Sequence, residues 1–267
     1  MIGKNEIRVI YGDNPKQMVK ELLEAIRPED EIDKTALIGI KPNLVVAKPA
    51  SSGATTSSDI VEGLIEYLKS KGRDRIVIME GSWVGARTSE AFRVCGYESL
   101  SKKYNVPLID LQKDRYQAHE INGLRINVCD YVTKVDYLIN VPVLKGHCQT
   151  NITCALKNMK GCIPNSEKRR FHTMGLHKPI AYLNKIIKQD LVIVDGMNGD
   201  LNEVTPCHLV EASPDILRER FSAAWSSISI MQFLQTCCPR NIMIFPGRPQ
   251  KTHPLINRER TIASPLE

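Results

Sequence analysis

Four strand-like stretches of the sequence end in polar, mostly ionisable motifs: Lys41-Pro42-Asn43, Glu80-Gly81-Ser82, Lys145-Gly146-His147 and Asp195-Gly196. Ligands of open α/β sheets bind outside the carboxyl ends of the strands, so we expect these motifs to meet at one edge of a sheet. There Lys41 and Lys145 would neutralise an anionic ligand. His147, together with Glu80 or Asp195, would transfer protons. The alternative interpretation is that these are ordinary surface loops, which are polar in most proteins.

A hydroxyl-rich stretch over residues 51–58 comes directly before a predicted helix. Its backbone N–H groups and the hydroxyls of Thr55 and Thr56 would hold oxyanions at the positive end of the helix dipole. The alternative is a flexible loop that ends in a helix cap, because Ser and Thr are preferred at that position. Lys41 and Asn43, at the preceding strand end, favour the anion-binding interpretation.

The densest group of candidate residues lies in the middle of the chain. Its members are basic or polar: Lys145, His147, Thr150, Thr153, Lys157, Asn158, Lys160 and His172. We predict a helix that begins at Thr150 or Asn151. On it Thr153, Lys157 and Lys160 share one face, at i, i+4 and i+7. Beside Lys145 this face would make a cationic pocket in which crowding lowers a lysine pKa enough for acid–base work; the alternative is a solvated helix face.

Metal or cluster ligands are a weaker possibility in the same region. His172 and His177 are four residues apart, and Cys148, Cys154 and Cys162 surround this segment. Neither a Cys-x2-Cys pair nor a His-Glu-x2-His motif is present, so we interpret the cysteines as structural thiols. No Gly-x-Gly-x2-Gly motif follows a strand and no P-loop motif occurs, which argues against a standard dinucleotide or nucleoside-triphosphate site.

The elements that must position these residues alternate in type over the first 202 positions. Short runs rich in Val and Ile predict strands at 7–11, 36–40, 75–80, 106–110, 136–144 and 191–195. Apolar residues at helical spacing predict helices at about 15–27, 58–71, 88–104 and 177–188. This alternation is typical of a three-layer α/β fold, with a mostly parallel sheet and helices on both faces. Asn122-Gly123, flanked by alternating residues, predicts an antiparallel hairpin outside the main alternation.

Composition excludes several function classes. The chain has 267 residues, a formal net charge of +6, 42% hydrophobic and 6% aromatic residues, with no apolar run of the length that a spanning helix needs. The basic residues do not concentrate on a stripe with interleaved aromatics, so neither nucleic acid nor a membrane is an expected partner. Because the N-terminus shows no signal peptide, we expect a cytoplasmic protein with reduced thiols.

The motifs together resemble the domain of unknown function family 362 over residues 7–202. The residues that carry the resemblance are Lys41-Pro42-Asn43, Gly53 with Thr55-Thr56, Glu80-Gly81, Leu144-Lys145-Gly146-His147, Thr150, Thr153, Leu156-Lys157-Asn158, Gly161, Lys168 and His172. The resemblance implies no settled reaction. The family is sometimes fused to iron–sulfur modules, which implies a redox association, although this chain lacks the closely spaced cysteines of such a module.

The last 65 residues depart from the family pattern. Family members have Thr where Gly146 stands, and after the strand ending at Asp195 they continue through a Gly-Pro loop, a further strand and a closing helix. Here the resemblance ends at Asn202, and composition changes there: every Tyr precedes it, as do all Gly but Gly247 and all Lys but Lys251.

The change suggests that residues 203–267 are an aberrant tail, either read out of frame or replaced, which would leave the sheet without its last strand. Translation of the neighbouring reading frames tests this idea, and it fails if neither frame restores the missing elements. The alternative is a genuine divergent tail in which residues 215–235 form an amphipathic helix.

The sequence thus leads to one main hypothesis and one alternative. The main hypothesis is an enzyme-like domain that binds a small carboxylate or phosphate at the carboxyl ends of the strands. Its catalytic candidates are His147, Lys145, Glu80 and Asp195. Its ligand-binding candidates are Lys41, Asn43, Thr55, Thr56, Ser82, Thr150, Thr153, Lys157, Asn158, Lys160 and His172. The alternative is a binding module without catalysis of its own that docks an iron–sulfur partner or shares a cluster.

Overall fold

The computed structural model describes residues 7–147, 149–199, 241–246 and 260–261. The first part of the chain alternates strands and helices: β1 (Ile7–Gly12), α1 (Pro15–Ile26), β2 (Ile38–Pro42), α2 (Ser58–Ser70), β3 (Ile76–Glu80), α3 (Thr88–Val94), α4 (Tyr97–Tyr104) and β4 (Leu108–Asp110). Each of β2 and β3 is buried along its whole length, as expected of strands covered on both faces. The predicted strand–helix alternation is therefore confirmed over this part.

The second part is less regular. It contains β5 (Tyr116–Ile121), β6 (Leu124–Cys129), α5 (Asp130–Lys134), β7 (Tyr137–Val141), β8 (Lys145–His147), β9 (Asn151–Thr153), α6 (Ala155–Asn158), a 3-10 turn (Met159–Cys162), α7 (Asn165–Thr173), α8 (His177–Ile186), β10 (Leu191–Asp195), β11 (Asn241–Pro246) and β12 (Arg260–Thr261). None of the helices in the described residues is both long enough and apolar enough to cross a membrane.

The main sheet has the strand order β12-β1-β11-β10-β7-β2-β3-β4. All neighbouring strands are parallel except β12, which pairs antiparallel with β1 at the edge. From β2 the chain proceeds outward through β3 and β4, and it then returns to the other side of β2 through β7 and β10. The order therefore reverses between β2 and β7, which is where α/β sheets usually bind ligands.

Two apolar layers cover the two faces of the sheet. Consecutive residues of β7 point to opposite sides, because Leu138 packs with one buried cluster and Ile139 with the other. The cluster around Ile139 includes residues of α1 to α4, whereas the cluster around Leu138 includes residues of β6 and of α6 to α8. The predicted three-layer architecture is confirmed.

The predicted hairpin is also confirmed. β5 and β6 pair antiparallel in a separate two-stranded sheet, with Ile121 opposite Leu124. The two turn residues, Asn122 and Gly123, have φ values of 47° and 73°. A two-residue turn with both central φ angles positive matches the twist of the flanking strands, which is why the Asn-Gly pair was informative.

Two predicted helices differ from those in the structure. The single helix expected over 88–104 is interrupted, because Gly96 has a left-handed φ of 82° between α3 and α4. The helix expected to begin at Thr150 or Asn151 is replaced by a short hairpin, since β9 pairs with β8 and the following helix begins only at Ala155. Thr153 is therefore a strand residue, and it does not share a helix face with Lys157.

The segment after Asn202 contributes to the sheet. β11 lies between β1 and β10 and is parallel to both, and Ile244 within it is fully buried. The sheet thus receives a strand from the segment that was expected to leave it incomplete. Residues 203–240, with the alternative helix at 215–235, lie outside the described residues, so the aberrant or out-of-frame origin of the tail stays a prediction.

Candidate functional site

A cavity of about 400 Å³ opens at the carboxyl ends of β2 and β3, beside the segment that follows β7. This is the position where the strand order reverses. Ten of the predicted site residues line it: Lys41, Asn43, Glu80, Lys145, His147, Thr153, Lys157, Asn158, Lys160 and His172. Residues of three of the four predicted strand-end motifs therefore meet at this cavity, whereas the fourth motif, Asp195-Gly196, does not line it. The role of these residues as a functional site stays a prediction.

Lys41 and Glu80 form a buried ion pair at the floor of the cavity. The Nζ of Lys41 lies 2.8 Å from Oε1 of Glu80, and the two side chains are 1% and 2% exposed. Both carboxylate oxygens also accept backbone hydrogen bonds, Oε2 from the N–H of Leu44 and Oε1 from that of Gly81. These bonds satisfy Glu80 as a carboxylate, so its geometry fits a structural anion better than a catalytic base.

Asn158 connects this ion pair to the interior of the sheet. Its Oδ1 accepts a hydrogen bond from Nζ of Lys41 at 2.9 Å, and its Nδ2 donates to Oδ1 of Asn140 at 2.7 Å. Asn140 in turn donates to the carbonyl of Ala155 and to the side chain of Gln189. This chain of buried amides fixes α6 against the ends of β2 and β7, which sets the position of Lys157 one residue before Asn158.

Gly161 makes the close approach at the ion pair possible. A Cβ atom at this position would lie 2.2 Å from Oε1 of Glu80 and 2.6 Å from Nζ of Lys41. Such distances are far below van der Waals contact, so a larger residue would displace the pair. The 3-10 turn therefore needs glycine here in order to pack onto the ends of β2 and β3.

Five lysines line the cavity: Lys41, Lys145, Lys157, Lys160 and Lys168. Three of them donate to backbone carbonyls: Lys41 to that of Pro42 (2.8 Å), Lys145 to that of Ala54 (2.9 Å) and Lys168 to that of Ser82 (2.7 Å). Glu80 is the only carboxylate among the described residues of the lining. The site therefore carries a strong excess of positive charge in a partly desolvated space, where an anion is favoured.

Burial shifts the pKa of two of these lysines. Desolvation, followed by repulsion from Lys168, lowers the pKa of Lys160 to about 8. Desolvation also lowers the pKa of Lys168 to about 8, although Glu80 acts in the opposite direction. Both amines are thus closer to neutrality than an exposed lysine, as the sequence predicted from crowding, but burial is the larger cause.

His147 is a neutral imidazole with a defined tautomer. Its Nδ1 accepts backbone hydrogen bonds from Gln149 at 3.1 Å and Thr150 at 3.3 Å, so the proton lies on Nε2. Burial, and then repulsion from the neighbouring lysines and His172, lowers its pKa to about 4. At neutral pH it is therefore a hydrogen-bond donor through Nε2, and it is not an imidazolium.

His172 lies within hydrogen-bond distance of Lys160. The Nε2 of His172 is 3.1 Å from Nζ of Lys160, and its Nδ1 is 3.2 Å from Oε1 of Gln149. The amide oxygen can only accept, which places the proton on Nδ1 and leaves Nε2 to accept from the lysine. The pKa of His172 is lowered, mainly by burial and then by Lys160.

The remaining five candidates do not line the cavity, namely Thr55, Thr56, Ser82, Thr150 and Asp195. The hydroxyls of Thr55, Thr56 and Ser82 donate to the carbonyls of Lys48, Val141 and Leu44. Asp195 accepts backbone hydrogen bonds from Ser57 and Met197, and burial raises its pKa. The side chains of these four residues thus bind the backbone of the loops around the cavity, whereas the backbone N–H of Thr150 donates to Nδ1 of His147.

Neither the apolar part of the cavity lining nor the place of Lys168 in it was evident from residue types and spacing. Trp83 and Val84 line the cavity next to Val45 and Val46, but an apolar residue in a loop carries no chemical signal of its own. Lys168 appeared only through the family resemblance, because it lies on α7, a polar helix that the apolar spacing did not predict. Its position became evident only through its bonds to the carbonyls of Gly81 and Ser82.

A comparison with protein families gives a match to the model described as domain of unknown function (DUF362), over residues 38–215. The match begins at β2 and runs past Asn202. A curated thylakoid-associated protein of Synechocystis sp. is 25% identical over 192 residues, which cover 66% of this chain and 58% of that protein. The chain therefore spans somewhat more than half the length of this relative.

Proposed function

The chain belongs to the domain of unknown function (DUF362) family, and from its site we propose an enzyme-like domain that binds a small anionic ligand through a carboxylate or phosphate group. The observation that carries the proposal is the lining of the cavity, in which the described residues include five lysines and a single carboxylate. That carboxylate, Glu80, has Lys41 and two backbone N–H groups as partners. A carboxylate or phosphate group from a ligand would be attracted to this cationic lining.

The site residues divide into charge-binding and proton-handling groups. Lys145 and Lys157 would contact the anionic oxygens directly, and His147 would donate its Nε2 proton to one of them. Lys160, with a pKa of about 8 and His172 as its neighbour, is the group best placed to give or accept a proton near neutral pH. Lys41 and Glu80 would form the fixed floor of the site.

Calorimetric titration of the full chain with inorganic phosphate and with malonate tests this proposal. We expect binding to the wild type, and an affinity at least about tenfold weaker in Lys145→Ala, as one charge-assisted contact is lost. Lys102→Ala is the matched control, since Lys102 is exposed on α4 outside the cavity. Lys157→Ala provides a second variant, because Lys145 also supports the carbonyl of Ala54. Equal affinities in all variants would contradict the site.

The iron–sulfur alternative is tested separately. Within the described parts of the chain, no three His, Cys, Asp or Glu side chains are grouped so that they could hold a metal ion. Cys154 and Cys162 are buried, whereas Cys148 lies outside the described residues. Visible absorbance of anaerobically purified protein decides the question, since a colourless, iron-free sample would contradict a cluster-sharing role.

A cytoplasmic location stays a prediction, and the relative is named for its association with thylakoids.

A further inference from the structure

One part of the cavity lining is apolar. Val45 and Val46 follow β2, and Trp83 and Val84 follow β3, and all four line the same cavity as the lysines. The backbone N–H of Trp83 donates to the carbonyl of Val45 at 3.1 Å, which joins the two loops into one wall. A site for a bare inorganic anion would have little use for such a wall, because apolar surface does not stabilise charge.

Trp83 is the exposed part of this wall. Half of its surface is accessible to solvent, although tryptophan has the largest apolar side chain and is usually mostly buried. The chain has only 2 tryptophans. An exposed indole beside a cationic cavity offers a flat surface on which an apolar or aromatic group stacks favourably. The position therefore fits ligand binding better than packing, since the ring is not part of either buried cluster.

The loop that carries Trp83 is held in one conformation. The Nε2 of Gln112 donates to the carbonyls of Ser82, Trp83 and Ala86, at 3.1, 3.3 and 3.0 Å. The indole also lies directly over Gly85, where an added Cβ would be 2.2 Å from the ring. The exposed ring is thus preorganised, which reduces the entropy lost when a ligand covers it.

The size of the cavity agrees with a ligand larger than one acidic group. A volume of about 400 Å³ corresponds to about thirteen water molecules at liquid density, and it falls in the range of small-molecule sites. The lysines would bind a charged end of the ligand, and the wall formed by Trp83 and the three valines would contact an uncharged, apolar part of it.

We propose that the ligand is an organic anion whose carboxylate or phosphate group is attached to a flat, apolar body that lies against Trp83. This inference rests on the proposed function, because it needs the lysines to hold the charged group. In addition, the protein would distinguish one anion from another mainly by the apolar part of the ligand. The wall would exclude water from one side of the charged group and thereby strengthen its contacts with the lysines.

Two matched pairs of probes test the inference by calorimetry on the full chain. The pairs are inorganic phosphate with phenyl phosphate, and malonate with phenylmalonate, so that charge is kept while a flat body is added. We expect the phenyl member of at least one pair to bind about tenfold more tightly, since stacking and burial of a ring contribute beyond the charge. Trp83→Ala should remove this preference, so that the phenyl member of each pair binds no more tightly than inorganic phosphate or malonate does.

Two further variants sharpen the result. Gly85→Ala keeps the indole but displaces it, so we expect it to reduce the phenyl preference as Trp83→Ala does. Tyr116→Ala removes another exposed aromatic side chain, on β5 outside the cavity, and should leave the preference intact.

The outcomes separate this inference from the proposed function. If the simple anions bind through Lys145 but neither phenyl probe binds more tightly, the inference is overturned and the proposed function stands. If the preference persists in Trp83→Ala, the inference is also overturned. If no probe binds the wild type, the proposed function and the inference both fail.

Discussion

The ammonium group of Lys41 lies 2.8 Å from Oε1 and 2.9 Å from Oε2 of Glu80, and both side chains are nearly inaccessible to solvent. A buried pair of this kind is stable only while both charges are present, because either one alone would be desolvated without compensation. The pair joins the ends of β2 and β3 at the base of the cavity. It therefore determines whether the lysines above it are held in a fixed arrangement.

The first prediction concerns this pair. Glu80→Gln should lower the free energy of unfolding by about 3–5 kcal/mol, since it leaves Lys41 charged and buried without its carboxylate partner, although Asn158 and the carbonyl of Pro42 still accept from it. The double variant Lys41→Met with Glu80→Gln should recover part of the loss. Urea denaturation measures both, and Lys113→Ala is the control, as the ion pair of the exposed Lys113 with the partly buried Asp110 contributes about 1 kcal/mol or less. A Glu80→Gln loss no larger than that of the control would contradict the role of the pair.

The second prediction concerns Gly161. Replacement by Ala places a methyl group within 2.2 Å of Oε1 of Glu80, so we expect a loss of about 1–3 kcal/mol together with much weaker anion binding. Thermal denaturation and calorimetric titration with malonate measure the two effects. Gly12→Ala serves as the control for a glycine substitution by itself, because an added Cβ there would meet only the side chain of Met18, at 3.1 Å or more. Normal anion binding by Gly161→Ala would show that the close approach is not needed for the site.

The third prediction is a pH dependence of anion binding. Lys160 and Lys168 have pKa values of about 8, so both lose their positive charge as the pH rises from 7 to 9. The affinity for malonate, which stays doubly ionised over this range, should fall with rising pH, by up to about tenfold for each of these lysines at pH 9. Lys160→Arg should flatten the profile, because arginine stays charged. An affinity independent of pH up to 9 would exclude both lysines from the binding of the anion.

The same shifts predict how stability varies with pH in the ligand-free protein. Between pH 8 and about 10.5 the unfolded chain binds more protons at these lysines than the folded chain does, so the two lysines contribute a rise in the free energy of unfolding with pH. The thiols of Cys129 and Cys162 act in the opposite direction, because burial raises their pKa. The lysine contribution is therefore measured as a difference: the free energy of unfolding of the wild type, relative to that of Lys160→Met, should rise between pH 8 and about 10.5. Urea denaturation of both proteins at several pH values measures this difference, and a difference that stays constant would contradict the lowered pKa of Lys160.

The fourth prediction concerns the two nitrogens of His147. Asparagine places an oxygen where Nδ1 accepts the backbone hydrogen bonds of Gln149 and Thr150, but it lacks the Nε2 donor. His147→Asn should therefore fold normally and bind malonate more weakly. His147→Gln should lose the turn contacts instead and be less stable. Nitrogen chemical shifts in an NMR experiment should show a neutral ring protonated on Nε2 at pH 7, and an imidazolium at that pH would contradict the assignment.

The sequence and the structure agree where the signal is local. Runs of Val and Ile predicted β2, β3 and β10, and the Asn122-Gly123 pair predicted the hairpin, because each pattern reflects the burial or turn geometry of its own segment. The region around Thr150 was different. A capping residue at Thr150 or Asn151, followed by apolar residues at helical spacing, predicted a helix, but β9 pairs with β8, and this pairing between neighbouring segments overrides the weak helical preference.

The sequence by itself determined the elements of the α/β fold and the polar residues at the strand ends, since these depend on neighbours along the chain. Only the tertiary structure decided which of them share a cavity. Lys41 meets Asn158 across 117 positions and Lys168 meets Gly81 across 87, while Asp195 is directed to backbone N–H groups instead. These outcomes depend on the strand order and on how α6 and α7 pack over the ends of β2 and β3, because side chains distant in sequence meet only where the packing of buried surfaces brings them together.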